Sequence, residues 1–224
     1  MIEITTPILI IGAGGHARSV LSLLRRHGGY SPIGFLDSVN PPGTIVYGLE
    51  VLGSEQDLYS ICERFSLTHC FVAVGDNFSR EAITLRLKHQ SPGITFPALV
   101  DPSAVVSCDA ILKSGVIVFA QAHVGPGCIL NQGTIVNTKS SLDHDCILGA
   151  YASLAPGAIT GGHVNIGVRS FIGLGACVVQ KVRIGSDTVV GSGSLVLKDL
   201  PDGIVSYGAP AKIVRTRLPD APYL

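Results

Sequence analysis

The chain has 224 residues, enough for one large domain or two small ones with a real hydrophobic core. Its 16 Lys and Arg residues balance its 16 Asp and Glu residues, and no run of one sign occurs. This balance argues against nucleic acid or an anionic membrane as a partner. Glycine is abundant at 27 residues, aromatic residues make up 6% and tryptophan is absent, a composition typical of repetitive β architectures with small side chains.

No segment predicts membrane insertion. The apolar stretch near the start, Ile8 to Ile11, stops at Gly12, far short of the roughly 20 residues that a spanning helix needs. It also lacks the basic flank of a signal peptide. The six cysteines form no C-x-x-C pair, so we expect no zinc or other metal. Reduced cysteines, buried where they fall in the repeat described below, indicate a cytoplasmic protein.

The first hundred residues alternate predicted strands and helices. An apolar run up to Ile11 is followed by glycines and then by an amphipathic stretch with Val20 and Leu24, which predicts strand, turn and helix. Further strands are predicted over 33–36 and 70–74, and helices over about 55–65 and 78–90. This alternation predicts a small parallel α/β unit.

The turn after the first strand could approach a phosphate. Gly12, Gly14 and Ala17 fit the pattern G-x-G-x-x-A, and Asp37 follows at a spacing that suits a ribose contact. The pattern alone is compatible with a plain tight turn or with a dinucleotide-dependent dehydrogenase. Only about 100 residues precede the repeat, half of a dinucleotide-binding fold, which favours a mononucleotide or nucleotide-sugar site. His16 stands where it could donate a hydrogen bond to a phosphate or a sugar.

From residue 105 to about 197 the sequence repeats every six residues. Stepping by six from position 106 finds an aliphatic residue at every position but one, which is threonine: Val106, Leu112, Val118, Val124, Leu130, Val136, Leu142, Leu148, Leu154, Thr160, Ile166, Ile172, Val178, Ile184, Val190 and Val196. The period fits neither a flat sheet nor an α-helix. It predicts a left-handed parallel β-helix, in which three hexapeptides make one 18-residue coil.

In such a coil each aliphatic residue points into the triangular prism. The next residue is often small, as at Gly125 and Gly149, and we expect it to let the backbone bend at the corner. The register has no insertion, so no long loop leaves the prism. A β-solenoid without catalysis is the simplest alternative.

The whole chain resembles the sugar O-acyltransferase family of sialic acid O-acetyltransferases, and especially the bacterial nucleotide-4-amino-sugar N-acetyltransferases of the bacillosamine and perosamine type. The motifs that carry the resemblance, besides the repeat, are residues 12–17 (Gly-Ala-Gly-Gly-His-Ala), residues 34–37 (Gly-Phe-Leu-Asp), the segment 137–145, and residues 207–212 (Tyr-Gly-Ala-Pro-Ala-Lys).

The resemblance implies the fold class and the assembly. It implies an α/β, Rossmann-like nucleotide-sugar-binding domain over 1–99, an all-β left-handed β-helix acetyltransferase domain over 100–200, and a closing segment over 201–224. It also implies a homotrimer that uses acetyl-CoA as co-substrate and has its active sites between subunits.

His144 is the residue that stands out for chemistry, because it has an acid on each side. A carboxylate partner fixes the tautomer of an imidazole and stabilises its protonated form. Attack on a thioester needs such a general base. The resemblance implies that His144 is the base and Asp145 the acid that orients it. We expect Asp143 to be a solvated corner residue and His163 an exposed turn residue.

The resemblance also assigns binding residues. For the acceptor it implies Gly14, Gly15, His16, Asp37, Gly53, Asn77 and Asn137. For the coenzyme it implies Ser153, Gly161, Gly162, Gly173, Leu174, Pro210 and Lys212. Two positions depart from the family pattern: Ser153 replaces a second histidine near the thioester carbonyl, and Ser38 replaces an acid beside Asp37. The oxyanion contact is therefore expected from Ser153 or from a backbone N–H.

The function predicted is acetyl-CoA-dependent N-acetylation of a nucleotide-linked 4-amino-4,6-dideoxy sugar for surface glycans. One alternative is an O-acetyltransferase of sialic acid or a related sugar that uses the same base. The other is a non-catalytic trimer that binds a nucleotide sugar.

Overall fold

The computed structural model describes residues 5–223. The chain divides into two compact units, the first ending at Leu99 and the second beginning at Val100. The short strand β6 (Leu99–Val100) lies at this boundary. Within the described residues, the helices are all too short or too polar to cross a bilayer.

The first unit is built on a five-stranded sheet. Its strands are β1 (Thr6–Ile11), β2 (Tyr30–Leu36), β3 (Ile45–Val46), β4 (Leu49–Gly53) and β5 (Cys70–Val72), in the order β3–β4–β2–β1–β5. The pairs β1–β2, β1–β5 and β2–β4 are parallel, and β3–β4 is an antiparallel hairpin. The predicted parallel α/β unit is therefore present.

Three α-helices accompany this sheet: α1 (Gly15–His27), α2 (Leu58–Phe65) and α3 (Asn77–Gln90). In α1 the buried residues include Ala17, Val20, Leu21 and Leu24, which share one face at helical spacing. The helix ends at Gly28, whose φ of 75° is the left-handed conformation that commonly stops a helix. A 3₁₀ turn (Glu55–Asp57) leads into α2.

The hairpin of β3 and β4 was not predicted. Its two strands are only two and five residues long, and Ile45 and Glu50, which pair across it, are both exposed. No alternation of apolar and polar residues marks so short and exposed a strand. The strand predicted over 70–74 ends at Val72.

The second unit is the predicted left-handed parallel β-helix. Its sixteen two-residue strands are β7 (Val105–Val106), β8 (Ile111–Leu112), β9 (Ile117–Val118), β10 (His123–Val124), β11 (Ile129–Leu130), β12 (Ile135–Val136), β13 (Ser141–Leu142), β14 (Ile147–Leu148), β15 (Ser153–Leu154), β16 (Ile159–Thr160), β17 (Asn165–Ile166), β18 (Phe171–Ile172), β19 (Cys177–Val178), β20 (Arg183–Ile184), β21 (Val189–Val190) and β22 (Leu195–Val196).

Every third strand is a neighbour, so the strands form three faces. The first sheet has the order β22–β19–β16–β13–β10–β7, and the second has the order β20–β17–β14–β11–β8. The third contains β21, β18, β15, β12 and β9. The second residue of each strand is the predicted inward one, and all are buried except Val106 and Leu112 of the first coil, which are half-buried.

The corners correct one expectation about the glycines. The left-handed backbone recurs every six residues, but three positions after the inward residue, and it includes Lys139, Asp145 and Tyr151. The glycines that directly follow an inward residue are needed for another reason. A Cβ at Gly149 would lie 2.6 Å from the backbone nitrogen of Val168 in the next coil. These glycines therefore permit close stacking of coils rather than the bend itself.

The tail completes the third sheet. Strand β23 (Ile204–Tyr207) pairs in parallel with β21, and β24 (Lys212–Thr216) returns antiparallel on β23. All six cysteines are free. Within the repeat, Cys128 and Cys146 are buried as expected, whereas Cys108 and Cys177 are exposed, because Cys177 occupies the outward position of its strand.

Removing an inward side chain should destabilise the prism. Leu130 is fully buried, so Leu130→Ala should lower the free energy of unfolding by about 2–5 kcal/mol through lost burial and a residual cavity. Ile111→Ala is the matched control, because Ile111 points outward and is 53% exposed. Urea unfolding at one fixed protein concentration measures both. Equal losses for the two variants would contradict the assignment of inward and outward positions.

Candidate active site

The candidate acceptor residues of the first unit gather at one edge of its sheet. The backbone N–H of Gly12 donates to the carbonyl of Leu36, and that of Asp37 donates to the carbonyl of Gly53. The turns after β1, β2 and β4 are therefore joined at the carboxyl ends of parallel strands. In open α/β sheets this is the edge where ligands bind, at the point where the strand order reverses. Here the order reverses at β1, which lies between β2 and β5.

Asp37 holds these turns together. One carboxylate oxygen accepts from the Ala13 backbone at 3.0 Å, and the other accepts from the backbone and side chain of Asn40, both at 2.8 Å. The Val39 backbone donates a fourth hydrogen bond at 3.2 Å. Burial alone would raise the pKa of Asp37, but the four bonds together hold that pKa below its usual value. Most of the hydrogen-bonding capacity of the Asp37 carboxylate is thus used by groups of the protein itself.

His16 and Asn77 lie on the β5 side of the same edge. Burial, with the Arg80 charge as a second cause, lowers the pKa of His16 to about 4, so the imidazole is neutral at physiological pH. Asn77 is buried, and its amide oxygen accepts from the Arg80 guanidinium at 2.7 Å. The same guanidinium donates to the carbonyls of Val74 and Gly75. Gly14 and Gly15 are exposed, and a Cβ on either would meet nothing within 4 Å.

The histidine singled out by the sequence lies in a corner of the prism. We call the turns that join the first sheet to the second the first corner; it includes residues 107–109, 125–127, 143–145, 161–163, 179–181 and 197–199. There the Nδ1 atom of His144 is 2.8 Å from a carboxylate oxygen of Asp145. The left-handed φ of 56° at Asp145 belongs to the regular corner geometry. The predicted pairing of this imidazole and this carboxylate is present.

The neighbouring coil shapes the space around the ring. Gly162 lies 18 residues after His144, one coil along, and a Cβ on it would collide with the imidazole at Nε2. The missing side chain therefore makes room for the ring. Asp143 accepts a hydrogen bond from the backbone N–H of His144 at 2.8 Å, so it fixes the corner instead of pairing with the ring.

The hydrogen bond between His144 and Asp145 shifts the pKa values of the two groups in opposite directions. The hydrogen bond with Asp145 raises the pKa of His144, and the Asp143 charge adds to it. The same bond lowers the pKa of the Asp145 carboxyl group. Nδ1 is therefore the proton-bearing nitrogen of the neutral ring, which leaves the Nε2 lone pair free to accept a proton.

His163 lies nearer to this pair than its sequence position alone predicted. Its Nε2 atom lies 3.7 Å from the Asp145 carboxylate, and its ring meets the His144 ring edge-on with centroids 4.9 Å apart. His163 is exposed, as predicted, but it is not isolated. The sequence feature that could have predicted this contact is the position of His163, 18 residues after Asp145, because residues one coil apart stack on each other.

Other predicted residues lie elsewhere on the prism. The third corner is the set of turns that join the third sheet to the first, including 119–121, 137–139, 155–157, 173–175 and 191–193. It contains Asn137, Gly173 and Leu174. Asn137 uses its amide oxygen to accept from the Thr138 backbone at 2.8 Å. Ser153 is buried in β15 of the third sheet. One face of the prism therefore separates all four from the His144 ring.

The closing segment forms a cavity at the far end of the first corner. It has a volume of about 340 Å³ and is lined by Val196, Leu197, Lys198, Asp199, Leu200, Pro210, Ala211 and Ile213. Lys198 lies three coils above His144 in the same column. Lys212 is exposed on β24 and does not line this cavity. The sequence did not predict that Lys198 lines this cavity, because the cavity forms only when residues 210–213 of the tail fold back beside Lys198.

Comparison with known proteins gives a consistent result. Residues 7–87 match the family model described as the PglD N-terminal domain. A histidine variant of perosamine N-acetyltransferase from Caulobacter crescentus, in complex with CoA and GDP-perosamine, is 36% identical, with a TM-score of 0.88 over 95% of this chain and 98% of that one. No curated protein matches significantly.

Two further solved structures are similar over nearly the whole chain. The acetyltransferase domain of PglB from Neisseria gonorrhoeae, in complex with acetyl coenzyme A, is 38% identical, with a TM-score of 0.87 over 94% of this chain and 100% of that one. WeeI from Acinetobacter baumannii is 26% identical, with a TM-score of 0.75 over 94% of this chain and 100% of that one.

Gly162→Ala should displace the His144 ring, because the added methyl group would occupy its space. The hydrogen bond to Asp145 would be lost, so the pKa of His144 should fall toward its ordinary value. An NMR titration of the His144 ring protons measures this fall. Gly93→Ala is the matched control, since a Cβ there meets nothing within 4 Å. An unchanged His144 titration in Gly162→Ala would show that the ring does not depend on this glycine.

Proposed function

Because this chain belongs to the hexapeptide-repeat sugar acyltransferases that carry a PglD N-terminal domain, we propose that it transfers an acetyl group from acetyl-CoA to the amine of a nucleotide-linked 4-amino-4,6-dideoxy sugar. The observation that carries the proposal is the His144–Asp145 pair, with its free nitrogen beside a glycine. The relative that binds CoA and GDP-perosamine supports the substrate class, as does the relative that binds acetyl coenzyme A.

In the proposed reaction the sugar amine attacks the thioester carbonyl carbon. Nε2 of His144 accepts the proton that the amine nitrogen loses as the C–N bond forms. The tetrahedral intermediate then collapses, the C–S bond breaks, and the imidazolium returns the proton to the CoA sulfur. Asp145 keeps the proton of the neutral ring on Nδ1 and stabilises the imidazolium between the two steps.

The oxyanion of that intermediate needs a hydrogen-bond donor. In the first corner the backbone N–H of Gly161 donates to Val178 and that of His163 donates to His144. Within the part of the chain that the structure describes, the N–H of Gly162, between them, has no acceptor. It borders the His144 ring, so we assign it this role. Ser153 of the same chain lies on another face.

We assign the first corner to the coenzyme. His144, Gly162, Gln180 and Lys198 stack in one column, and three coil spacings span about 14 Å. Gly161 and Gly162 present no side chain along this path, which suits a chain that must run close to the backbone. At its end the cavity with Lys198 and Pro210 offers apolar walls and a cation, which suit an adenine ring and a phosphate. Lys212 remains a second candidate cation.

The positions of the remaining residues support a homotrimer. Asn137, Gly173 and Leu174 lie on the third corner, one face away from His144, and Ser153 lies on the third sheet. One copy cannot bring them to its own His144, but the third corner of a neighbouring copy could face it. We therefore propose that each active site lies between two subunits of a homotrimer.

We assign the nucleotide sugar to the first unit, residues 1–99. The exposed Gly14 and Gly15 turn leaves room for a diphosphate at the amino terminus of α1. The neutral His16 and the buried Asn77 border this turn, while Asp37 and Gly53 set the loops on its other side. Residues 100–200 then carry acetyl transfer, and 201–224 close the prism.

We place the reaction in the cytoplasm. Its co-substrate acetyl-CoA is supplied there, and all six cysteines are free thiols, as is usual in a reducing compartment.

Turnover of acetyl-CoA with a panel of acceptors tests the proposal. We expect N-acetylation of a nucleotide-linked 4-amino-4,6-dideoxy sugar, and a loss of about 10²- to 10⁴-fold in kcat for His144→Asn. His123→Asn, another exposed histidine of the repeat, should retain the rate. Transfer to sialic acid alone would favour an O-acetyltransferase. Binding of the nucleotide sugar without any turnover would favour a non-catalytic protein.

The pH dependence of kcat tests the role of Asp145. His144 must be unprotonated to act as a base, so the rate should rise with pH through its raised pKa. Asp145→Asn keeps a hydrogen-bond acceptor and tolerates the left-handed backbone, but it removes the charge. The pKa of His144 then falls, so the acidic limb should shift to lower pH while the maximal rate drops. If the acidic limb of the pH–rate profile stays at the same pH in Asp145→Asn, the assigned role of Asp145 is wrong.

A further inference from the structure

His144, Asp145 and His163 form a cluster of three potential metal ligands at the first corner. One ligand atom from each lies within 4.8 Å of the others. The Asp145 oxygen is 2.8 Å from Nδ1 of His144 and 3.7 Å from Nε2 of His163. The three side chains are between 46% and 52% exposed, so ions in solution have access to them.

The fold brings these groups together without a dedicated loop. His144 and Asp145 are adjacent in one turn, and His163 occupies in the next coil the position that Asp145 occupies in its own. Asp145 and His163 both have left-handed φ angles, 56° and 59°. The backbone N–H of His163 donates to the carbonyl of His144 at 2.9 Å. The two backbones therefore hold the three side chains at one corner.

The distances suit a tetrahedral ion. With bonds of about 2.0–2.1 Å to nitrogen and oxygen, ligand atoms around Zn²⁺ lie about 3.3 Å apart. The two separations in the structure, 2.8 Å and 3.7 Å, bracket that value. Small rotations of exposed side chains would equalise them. Two imidazoles and a carboxylate are ligands typical of zinc, and a water molecule would complete the set.

We propose that His144, Asp145 and His163 form an inhibitory site for a divalent transition-metal ion such as Zn²⁺. The ion takes the lone pair of Nδ1 on His144, and the proton of the neutral ring then resides on Nε2. Nε2 can no longer accept a proton from the acceptor amine. The ion also occupies the Asp145 oxygen that orients the ring. Inhibition therefore acts on the proton-transfer step.

Metal binding is tested without substrates, on tag-free protein. Titration calorimetry with Zn²⁺ alone should show one site per chain. His163→Asn removes one ligand, and asparagine tolerates the left-handed backbone at this position. Loss of a residue that only hydrogen-bonds to a metal ligand costs roughly 10- to 100-fold in metal affinity. Loss of a direct ligand should therefore lower the Zn²⁺ affinity by at least that factor. His123→Asn is the matched control and should bind as the wild type does. Equal Zn²⁺ affinity in His163→Asn and the wild type would overturn the site.

Cobalt separates this site from the exposed thiols of Cys108 and Cys177. Co²⁺ held by nitrogen and oxygen ligands should give visible d–d absorption without a thiolate-to-cobalt charge-transfer band. A strong charge-transfer band that persists in His163→Asn would place the ion on cysteine and refute the proposal.

The inhibition itself rests on the proposed function, and kinetics test it separately. Saturating Zn²⁺ should lower kcat at least tenfold, as expected when a general base is removed, and a chelator should restore the rate. His163→Asn should need correspondingly more Zn²⁺ for the same fractional loss. Full turnover of the Zn²⁺-loaded enzyme would refute inhibition. If the protein acetylates none of the acceptors tested, the proposed function is refuted, whereas the result on Zn²⁺ binding still stands.

Discussion

The stacking of one coil on the next by backbone hydrogen bonds determines the rest of the second unit. From Gly133 to Gly193, the N–H of each left-handed corner residue donates to a carbonyl in the preceding coil, as from Asp145 to Pro126 and from His163 to His144. These bonds offset the cost of a left-handed backbone at residues other than glycine. They also require glycine wherever two coils approach too closely for a Cβ, as at Gly149 and Gly167. The prism interior needs only aliphatic side chains of similar size.

The same stacking builds the site. His144 gains its space from the glycine one coil along, and Asp145 gains a second imidazole from the same coil. The pair thus depends on contacts across coils as much as on adjacency in the sequence. In the first unit the acid at the end of β2 acts in a comparable way, because its carboxylate joins turns from separate strands.

The repeat was predictable because its inward positions leave a period in the sequence itself. The His144–Asp145 pair was predictable because the two residues are neighbours in one turn. The place of His163 beside Asp145 and the true reason for the glycines were not predicted, since both depend on which residues stack at a spacing of 18. The hairpin of β3 and β4 left no pattern because its side chains are largely exposed.

The column that joins His144 to Lys198 has a consequence for evolution. Because a coil is closed by 18 residues, gain or loss of one whole coil between these two positions would preserve all three faces and every corner. Only the separation of the imidazole from the terminal cavity would change, by about 5 Å. A gain or loss of six or twelve residues would keep inward side chains inward but would move Lys198 to a different corner from His144, and a change that is not a multiple of six would break the inward register. The number of coils between His144 and Lys198 therefore sets the length of the acetyl donor that the column can hold, and that length can change only in whole coils.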